Sequence, residues 1–196
     1  MDFSNTLITR HKKLDKTNSQ LGFTLIELMV TITIAAIIIS ISIPSFASLL
    51  ARNKVTVQTN ALFESLYLAR NYAITEQKKV HVCHRDNSNS TECDPQRNYN
   101  SAWHNGWLVF VDKNDNNDYD QNDKLIRVFE PTTQTNIVFN QQGRLRFFPN
   151  GSARSAGFYV CDQQQKTYRH VYLLHSGRVR SNSSMTVQQK ATCDAA

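Results

Sequence analysis

The stretch GFTLIELMVTITIAAIIISISIPSF, residues 22–46, decides the fold of this chain. Residues 28–51 include no charged side chain, and most of them are Leu, Ile, Val, Ala or Met. About 20 consecutive apolar residues, each rising about 1.5 Å along a helix, match the thickness of the hydrocarbon core of a bilayer. The stretch therefore predicts a helix that spans a membrane.

One acidic residue, Glu27, lies just inside the start of this apolar stretch. A carboxylate is costly in lipid unless a partner neutralises it, so Glu27 is a candidate functional residue. The alternative is a side chain that stays hydrated among the lipid headgroups. The residues alone leave both interpretations open.

A polar segment with a net charge of +2, residues 1–22, precedes the apolar stretch. Such a basic flank predicts that this end of the chain stays in the cytoplasm. A secretory signal peptide would be cleaved after its apolar run, at a site of small residues. No such site follows the apolar stretch, so the boundary between the two segments needs another explanation.

The boundary sequence GFTLIE, residues 22–27, resembles the type IV prepilin processing motif. This resemblance implies that a prepilin peptidase cleaves after Gly22 and methylates the new N-terminal residue, Phe23. It also implies that Glu27 is the acidic residue through which the subunit assembles with other pilin subunits. The implied organisation is a cleaved leader, residues 1–22, a transmembrane or fibre-core half-helix, residues 23–50, and a periplasmic pilin domain, residues 51–196.

The helical pattern continues beyond the membrane stretch to about Gln77, with Pro44 expected to kink the helix and not to end it. Apolar residues recur mostly three or four positions apart, which predicts a face that packs on the domain. The residues of this predicted face are Phe46, Leu49, Leu50, Val57, Ala61, Leu62, Leu66, Ala69 and Ala73.

The periodicity then changes to that of short strands separated by turn residues. A long helix followed by such strands predicts an α+β fold with an antiparallel sheet. The predicted strands are residues 80–83, 107–111, 125–129, 137–140, 145–148, 158–161 and 170–174.

All four cysteines of the chain, Cys83, Cys93, Cys161 and Cys193, follow the membrane stretch. An even number of cysteines beyond a membrane anchor is typical of two disulfides in an oxidising compartment. A metal site is less favoured, because there is no C-x-x-C and no histidine at ligand spacing. Three pairings are possible, and proximity in sequence favours Cys83–Cys93 with Cys161–Cys193.

Several segments resemble the GspH/FimT family of minor pilins and pseudopilins: LARNYAITEQKKVHVC (68–83), GWLVFVDKNDNNDYD (106–120), FYVCD (158–162) and SGRVR (176–180). The resemblance covers nearly all of the chain after the leader, although Asn117 stands where the family usually has Gly. It implies a type IV pilin fold, in which a long N-terminal helix packs on a small antiparallel sheet or sandwich. It also implies a single-pass protein of the bacterial inner membrane with a periplasmic C-terminal domain, which is incorporated into a pilus.

Positive charge is concentrated near the C-terminus: residues 141–196 carry a net +6, and residues 23–140 a net −2. Residues two apart share a face of an extended segment, so Arg178 points with Arg180, and Arg144 with Arg146. Paired guanidinium groups suit phosphate oxygens. The segment GRVR, which begins at Gly177, matches the C-terminal G-R-x-R that the resemblance assigns to FimT-like DNA receptors. No base-reading motif is recognisable, so binding to double-stranded DNA should be independent of sequence.

Two interpretations of function follow from this resemblance. The first is a minor type IV pilin that binds DNA for uptake in natural transformation. The alternative is a GspH-like structural pseudopilin of a type II secretion system, in which the arginines form only a solvated strand surface. No nucleophile elbow, carboxylate pair or glycine-rich phosphate loop indicates an enzyme or a cofactor.

The segment 112–123 also matches the ligand spacing of a calcium-binding EF-hand loop. The match is incomplete, because Asn117 replaces the glycine of such loops and Asp123 is shorter than the usual Glu. Asp and Asn are also typical of turns, so calcium is the less favoured interpretation. The candidate ligands are Asp112, Asn114, Asn116, Asp118, Asp120 and Asp123.

Overall fold

A computed structural model describes residues 22–95, 103–132, 135–162 and 164–195. The predicted leader lies outside these residues, apart from Gly22. The elements, in chain order, are α1 (Leu25–Glu76), β1 (Lys79–His84), a 3-10 turn (Trp103–Asn105), β2 (Trp107–Asp112), β3 (Lys124–Phe129), β4 (Asn136–Phe139), β5 (Leu145–Phe147), β6 (Ala156–Asp162), β7 (Thr167–Leu173), β8 (Val179–Asn182) and α2 (Val187–Asp194).

Helix α1 is 52 residues long and continues through Pro44, close to the predicted bounds. The chain divides after Ser42 into two compact units. In the first unit, the apolar side chains of α1 are exposed throughout. Among the described residues, α1 is the one helix long and apolar enough to cross a membrane, with a mean hydropathy of 2.4 in its most apolar window.

In the second unit, a stripe of α1 packs into the domain, but it differs in part from the predicted face. Leu62, Leu66, Ala69 and Ala73 are buried as predicted, whereas Phe46, Leu49, Leu50 and Val57 are exposed. The prediction was wrong for these four residues because it assigned large apolar side chains to the packed face of the helix. Small residues occupy much of the buried stripe, and they let the helix approach the sheets closely. The buried residues of α1 are Ala51, Val55, Thr59, Leu62, Ser65, Leu66, Ala69 and Ala73.

The strands form two four-stranded sheets, in the orders β3-β2-β1-β5 and β4-β6-β7-β8. Every strand pair is antiparallel, as predicted. Strand β8 and helix α2 escaped prediction because their sequences, VRSN and VQQKATCD, are mostly polar. Helix α2 is instead defined by its start, where Thr186 and Gln189 form a reciprocal capping box.

One hydrophobic core joins the buried stripe of α1 to the inner faces of both sheets. Its centre is Trp103, on the 3-10 turn, whose ring centroid lies 4.8 Å from that of Phe158 and 5.2 Å from that of Phe139. Strand residues alternate between this core and the outer faces, as the period of two requires. In β1, for example, Val80 and Val82 face the core.

Both predicted disulfides form, Cys83–Cys93 and Cys161–Cys193. Each lies in a small apolar cluster on the outer face of one sheet. The second disulfide ties α2 to β6 across a sequence separation of 32 residues. Closing a loop of that length constrains the unfolded chain by roughly 3–4 kcal/mol in the chain-entropy estimate.

Candidate nucleic-acid interface

The segment GRVR begins in the turn that joins β7 to β8. Gly177 has a φ of +74° and donates its N–H to the carbonyl of Leu174 at 2.9 Å. A Cβ atom on Gly177 would lie 1.9 Å from the carbonyl oxygen of Gly151, so the turn has no space for a side chain. Gly177, predicted as part of the DNA site, therefore has a structural role: it sets the turn that precedes Arg178.

A helix residue, Arg70, holds this turn in place. Its Nε donates to the carbonyl of Gly151 at 3.1 Å, and its Nη2 donates to the carbonyl of Ser176 at 3.2 Å. The N–H of Ala153 also donates to the carbonyl of His175 at 3.0 Å. Arg70 itself is half-buried.

Arg178 and Arg180 are both exposed, and they flank the buried Val179 at the start of β8. They therefore share a side of the strand, as their spacing predicts. Strand β8 is an edge of its sheet, so it has a hydrogen-bonded neighbour, β7, on one side only. Neither arginine forms an ion pair within the described part of the chain.

The other predicted pair, Arg144 and Arg146, differs from this arrangement. Both line one cavity, but the side chain of Arg144 is only 8% exposed and is ion-paired with Asp118. Arg144 also donates to the carbonyl of Asn117. Its charge is thus already neutralised within the protein. Arg146 has its guanidinium 5.7 Å from the ring centroid of Phe148 and has no described carboxylate partner.

A further exposed arginine, Arg154, was not singled out from the sequence. An antiparallel bridge pairs Phe147 with Ala153, so the next pair in that register places Arg154 beside Arg146. The hydrogen bond from Ala153 to His175 then links this segment to the β7–β8 turn. We call the set Arg146, Arg154, Arg178 and Arg180 the basic surface; Arg146 belongs to β5 of one sheet and Arg180 to β8 of the other. Only the pairing of two strand segments reveals the place of Arg154, and the sequence pattern does not show it.

The acidic loop after β2 uses its carboxylates to shape its own backbone. Asp112 accepts the N–H of Asn117 at 3.0 Å, and Asp123 accepts the N–H of Lys113 at 3.0 Å. The loop also contains Asx turns, in which the N–H groups of Asn116 and Asp118 donate to the Oδ1 atom two residues earlier.

Asp120 lies within the same loop and accepts hydrogen bonds from the side-chain amides of Asn114 and Asn116. The backbone N–H of Asn122, followed by these amides, lowers the pKa of Asp120. Within the described residues, no three His, Cys, Asp or Glu side chains are grouped closely enough to hold a metal. Calcium binding by this loop, the less favoured interpretation of its sequence, stays untested.

The start of α1 has a structural feature that the motif did not indicate. The N–H of Thr24 donates to Glu27 Oε2 at 3.4 Å, and the N–H of Glu27 donates to Thr24 Oγ1 at 3.3 Å. This reciprocal pair is a capping box, which satisfies two free N–H groups of the first helical turn. Glu27 therefore stabilises the helix start in addition to its predicted role in assembly. Gly22 and Phe23 precede the helix and are exposed.

Comparison with known proteins places these features in a family. Residues 58–177 match the family described as "Type II transport protein GspH", and residues 17–43 match the prokaryotic N-terminal methylation motif. No curated protein matches the chain. The type IV minor pilin FimU of Pseudomonas aeruginosa is a similar solved structure, with 14% identity, a TM-score of 0.49, and coverage of 67% of this chain and 90% of that one.

A second similar solved structure is the minor pseudopilin EpsH of the Vibrio cholerae Type 2 Secretion System, with 12% identity, a TM-score of 0.47, and coverage of 66% of this chain and 96% of that one. The GspH match extends over more than half of the chain, and the methylation motif lies at the boundary where α1 begins. The helix and two antiparallel sheets agree with the pilin fold expected from the sequence. The protein therefore belongs to the GspH family, as a minor pilin or pseudopilin with a type IV pilin fold.

Proposed function

We propose that this protein is a FimT-like minor type IV pilin that binds double-stranded DNA, independently of sequence, for uptake in natural transformation. The observation that carries the proposal is the pair of exposed arginines, Arg178 and Arg180, which have no ionic partner among the described residues. The turn that precedes them is fixed by Gly177 and Arg70. A fixed turn holds the backbone of these arginines in place, and the planar guanidinium loses less side-chain freedom per hydrogen bond to a phosphate than a lysine does.

The charge distribution supports the same proposal. The net +6 of residues 141–196 lies on the part of the chain that contains the basic surface. Each phosphate contact releases condensed counterions, which gives affinity without base recognition. Arg178 and Arg180 are the proposed primary contacts, with Arg146 and Arg154 extending the surface. Arg144 is left out because Asp118 already neutralises it.

The proposal includes a membrane-anchored precursor. Residues 1–22 would be the leader, removed after Gly22 by prepilin peptidase, and Phe23 would become the methylated N-terminus. Residues 23–50 would anchor the protein in the inner membrane and later pack in the fibre with other pilin subunits. Residues 51–196 would form the periplasmic domain, which carries the basic surface.

The second candidate function is a structural pseudopilin of a type II secretion system. The description of the matched family, a type II transport protein, favours it. In that case the basic surface would be only a solvated face, and the protein would bind no DNA. A binding experiment separates the two candidates.

We expect the double variant Arg178→Ala/Arg180→Ala to bind unrelated DNA duplexes more weakly, by a similar factor for each. The slope of log affinity against log salt concentration should also become shallower, by roughly 0.9 for each of the two phosphate contacts that are lost. The measurement is a gel-shift titration of the detergent-solubilised full chain at several salt concentrations. The fold should survive, because exposed substitutions usually change stability by less than about 0.5 kcal/mol.

The matched control is Lys78→Ala/Lys113→Ala, which removes two exposed charges that are not among the four arginines of the basic surface. If this control weakens binding as much as the arginine variant, the effect is one of net charge and the proposed site is wrong. If the unaltered protein binds no duplex even at low salt, the DNA-binding proposal is wrong and the structural pseudopilin becomes the favoured candidate. In cells, the arginine variant should lower transformation while pili still assemble.

A further inference from the structure

A polar cavity of about 190 Å³ lies beside the edge strand β5, on the outer face of its sheet. His81 of β1 lies directly opposite Arg146 of β5, and Arg154 lies next in the same cross-strand row. Directly paired residues of antiparallel strands share a face, so these three side chains line one wall. The cavity is completed by Asn117, Gln142, Gly143 and Arg144.

The charges around this cavity leave a positive excess. Arg144 is paired with Asp118, and Lys79 is paired with Asp115 at 3.1 Å. Arg146 and Arg154 have no such partner within the described chain. Arg146 and Arg154 thus line the cavity without an ion-pair partner among the described residues, and the buried carboxylate of Asp112, 3.3 Å from His81 Nε2, offsets one of their two charges.

His81 adds a buried polar group that is not satisfied by the protein. Its side chain is 1% exposed, and neither ring nitrogen makes a hydrogen bond within the described residues, although Nε2 lies 3.3 Å from Asp112 Oδ2. Burial, and then the charges of Arg146, Arg144 and Lys79, lower the pKa of His81 to about 3. The ring is therefore neutral near pH 7. Buried polar atoms of this kind normally have a partner, and here a ligand or water in the cavity would supply it.

We propose that this cavity binds a phosphate group with a free terminal dianion, through the guanidinium groups of Arg146 and Arg154. The volume equals that of roughly six water molecules in the liquid, which suits a small anion with some hydration. Cavities for larger organic ligands generally exceed about 300 Å³. Guanidinium groups suit this chemistry because they bind two phosphate oxygens at once.

The phosphate could come from two sources, free phosphate in the periplasm or the 5′-phosphate at the end of a DNA duplex. A concave site favours a terminal group, whereas the phosphodiesters along a duplex suit the exposed pair Arg178 and Arg180. The cavity does not depend on that pair, so phosphate binding goes beyond the proposed DNA contacts. Only the second source rests on the proposed function.

The test is calorimetric titration of the detergent-solubilised full chain with inorganic phosphate, with chloride at equal ionic strength as the blank. We expect saturable binding of phosphate to the unaltered protein and at least a tenfold loss of affinity in Arg146→Gln/Arg154→Gln. Gln keeps most of the side-chain stem, and an unchanged circular dichroism spectrum would establish that the variant is folded. The matched control, Arg178→Gln/Arg180→Gln, should keep its phosphate affinity.

A second titration distinguishes the sources by comparing short duplexes with a 5′-phosphate or a 5′-hydroxyl. Tighter binding of the phosphorylated duplex, lost in Arg146→Gln/Arg154→Gln, assigns the cavity to DNA ends. Equal binding of both duplexes, with phosphate still bound, assigns it to free phosphate. The proposal is overturned if the unaltered protein does not bind phosphate, or if the folded Arg146→Gln/Arg154→Gln variant binds it equally well. Loss of DNA binding alone in Arg178→Gln/Arg180→Gln leaves the cavity unaffected, so the two proposals fail separately.

Discussion

Substituting Ala for Gly177 is expected to destabilise the domain by about 3 kcal/mol, which combines left-handed strain with overpacking. The φ of +74° disfavours any residue with a Cβ, and that Cβ would lie 1.9 Å from the carbonyl oxygen of Gly151. Backbone must therefore move, and the hydrogen bond from Arg70 to the same carbonyl must lengthen or break. Thermal unfolding followed by circular dichroism should show a loss of roughly 6–12 °C in Tm.

Gly143→Ala is the matched control for this prediction. Gly143 has nearly the same φ, +78°, but an added Cβ would meet no atom within 4 Å. It should therefore lose only the strain energy, about 1–2 kcal/mol. Equal losses for the two variants would show that the contact with Gly151 is unimportant and that the β7–β8 turn is not held as described. Gly177→Ala should also weaken DNA binding, because Arg178 follows directly.

The elements that the sequence predicted well are those with strong periodicity. Helix α1 was recognisable because its first half is continuously apolar and its second half repeats at helical spacing. Strands such as β2, WLVFVD, were recognisable as short runs of β-branched and aromatic residues. By contrast, β8 has a single apolar residue, Val179, and is a strand because it pairs with β7. Tertiary pairing of that kind leaves no local pattern in the sequence.

The candidate site was predictable only in part, for a related reason. The exposure of Arg178 and Arg180 followed from their alternation around Val179. The ion pair of Arg144 could not be predicted, because its partner, Asp118, lies 26 positions earlier, in a loop. Arg70 donates to the carbonyl of Ser176, which lies 106 positions later in the chain. Contacts between distant segments, which spacing cannot report, decide these roles.

The structure also shows that the chain contains two similar local arrangements. These are GRLR, residues 143–146, and GRVR, residues 177–180. In each, a glycine with a positive φ is followed by Arg, an apolar residue and Arg at the start of a strand. In the first arrangement one arginine is ion-paired and the other faces a cavity; in the second both are exposed. The same four-residue pattern therefore supports different chemistry, and its surroundings determine which. This is why the phosphate cavity and the proposed duplex contacts are tested with separate variants.

Glu27→Gln is expected to reduce incorporation into fibres by about a hundredfold or more, while leader removal continues. In the proposed assembly, the Glu27 carboxylate neutralises the N-terminal amine of Phe23 on a neighbouring subunit. Removing one member of a buried charge pair costs about 3–5 kcal/mol, and each 1.4 kcal/mol changes an equilibrium tenfold. Sheared fibres and membranes, compared by quantitative immunoblot, give the fraction incorporated, and intact mass gives the N-terminus.

The capping box at the start of α1 makes this substitution informative. Glu27→Gln removes the charge but keeps a side-chain oxygen that can accept the N–H of Thr24, as Glu27 Oε2 does. Thr24→Ala does the reverse, because it removes a cap worth about 1 kcal/mol and leaves the carboxylate in place. If charge pairing drives assembly, Glu27→Gln fails and Thr24→Ala assembles nearly normally. If Glu27→Gln assembles and Thr24→Ala does not, Glu27 serves only to start the helix, and the proposed assembly contact is wrong.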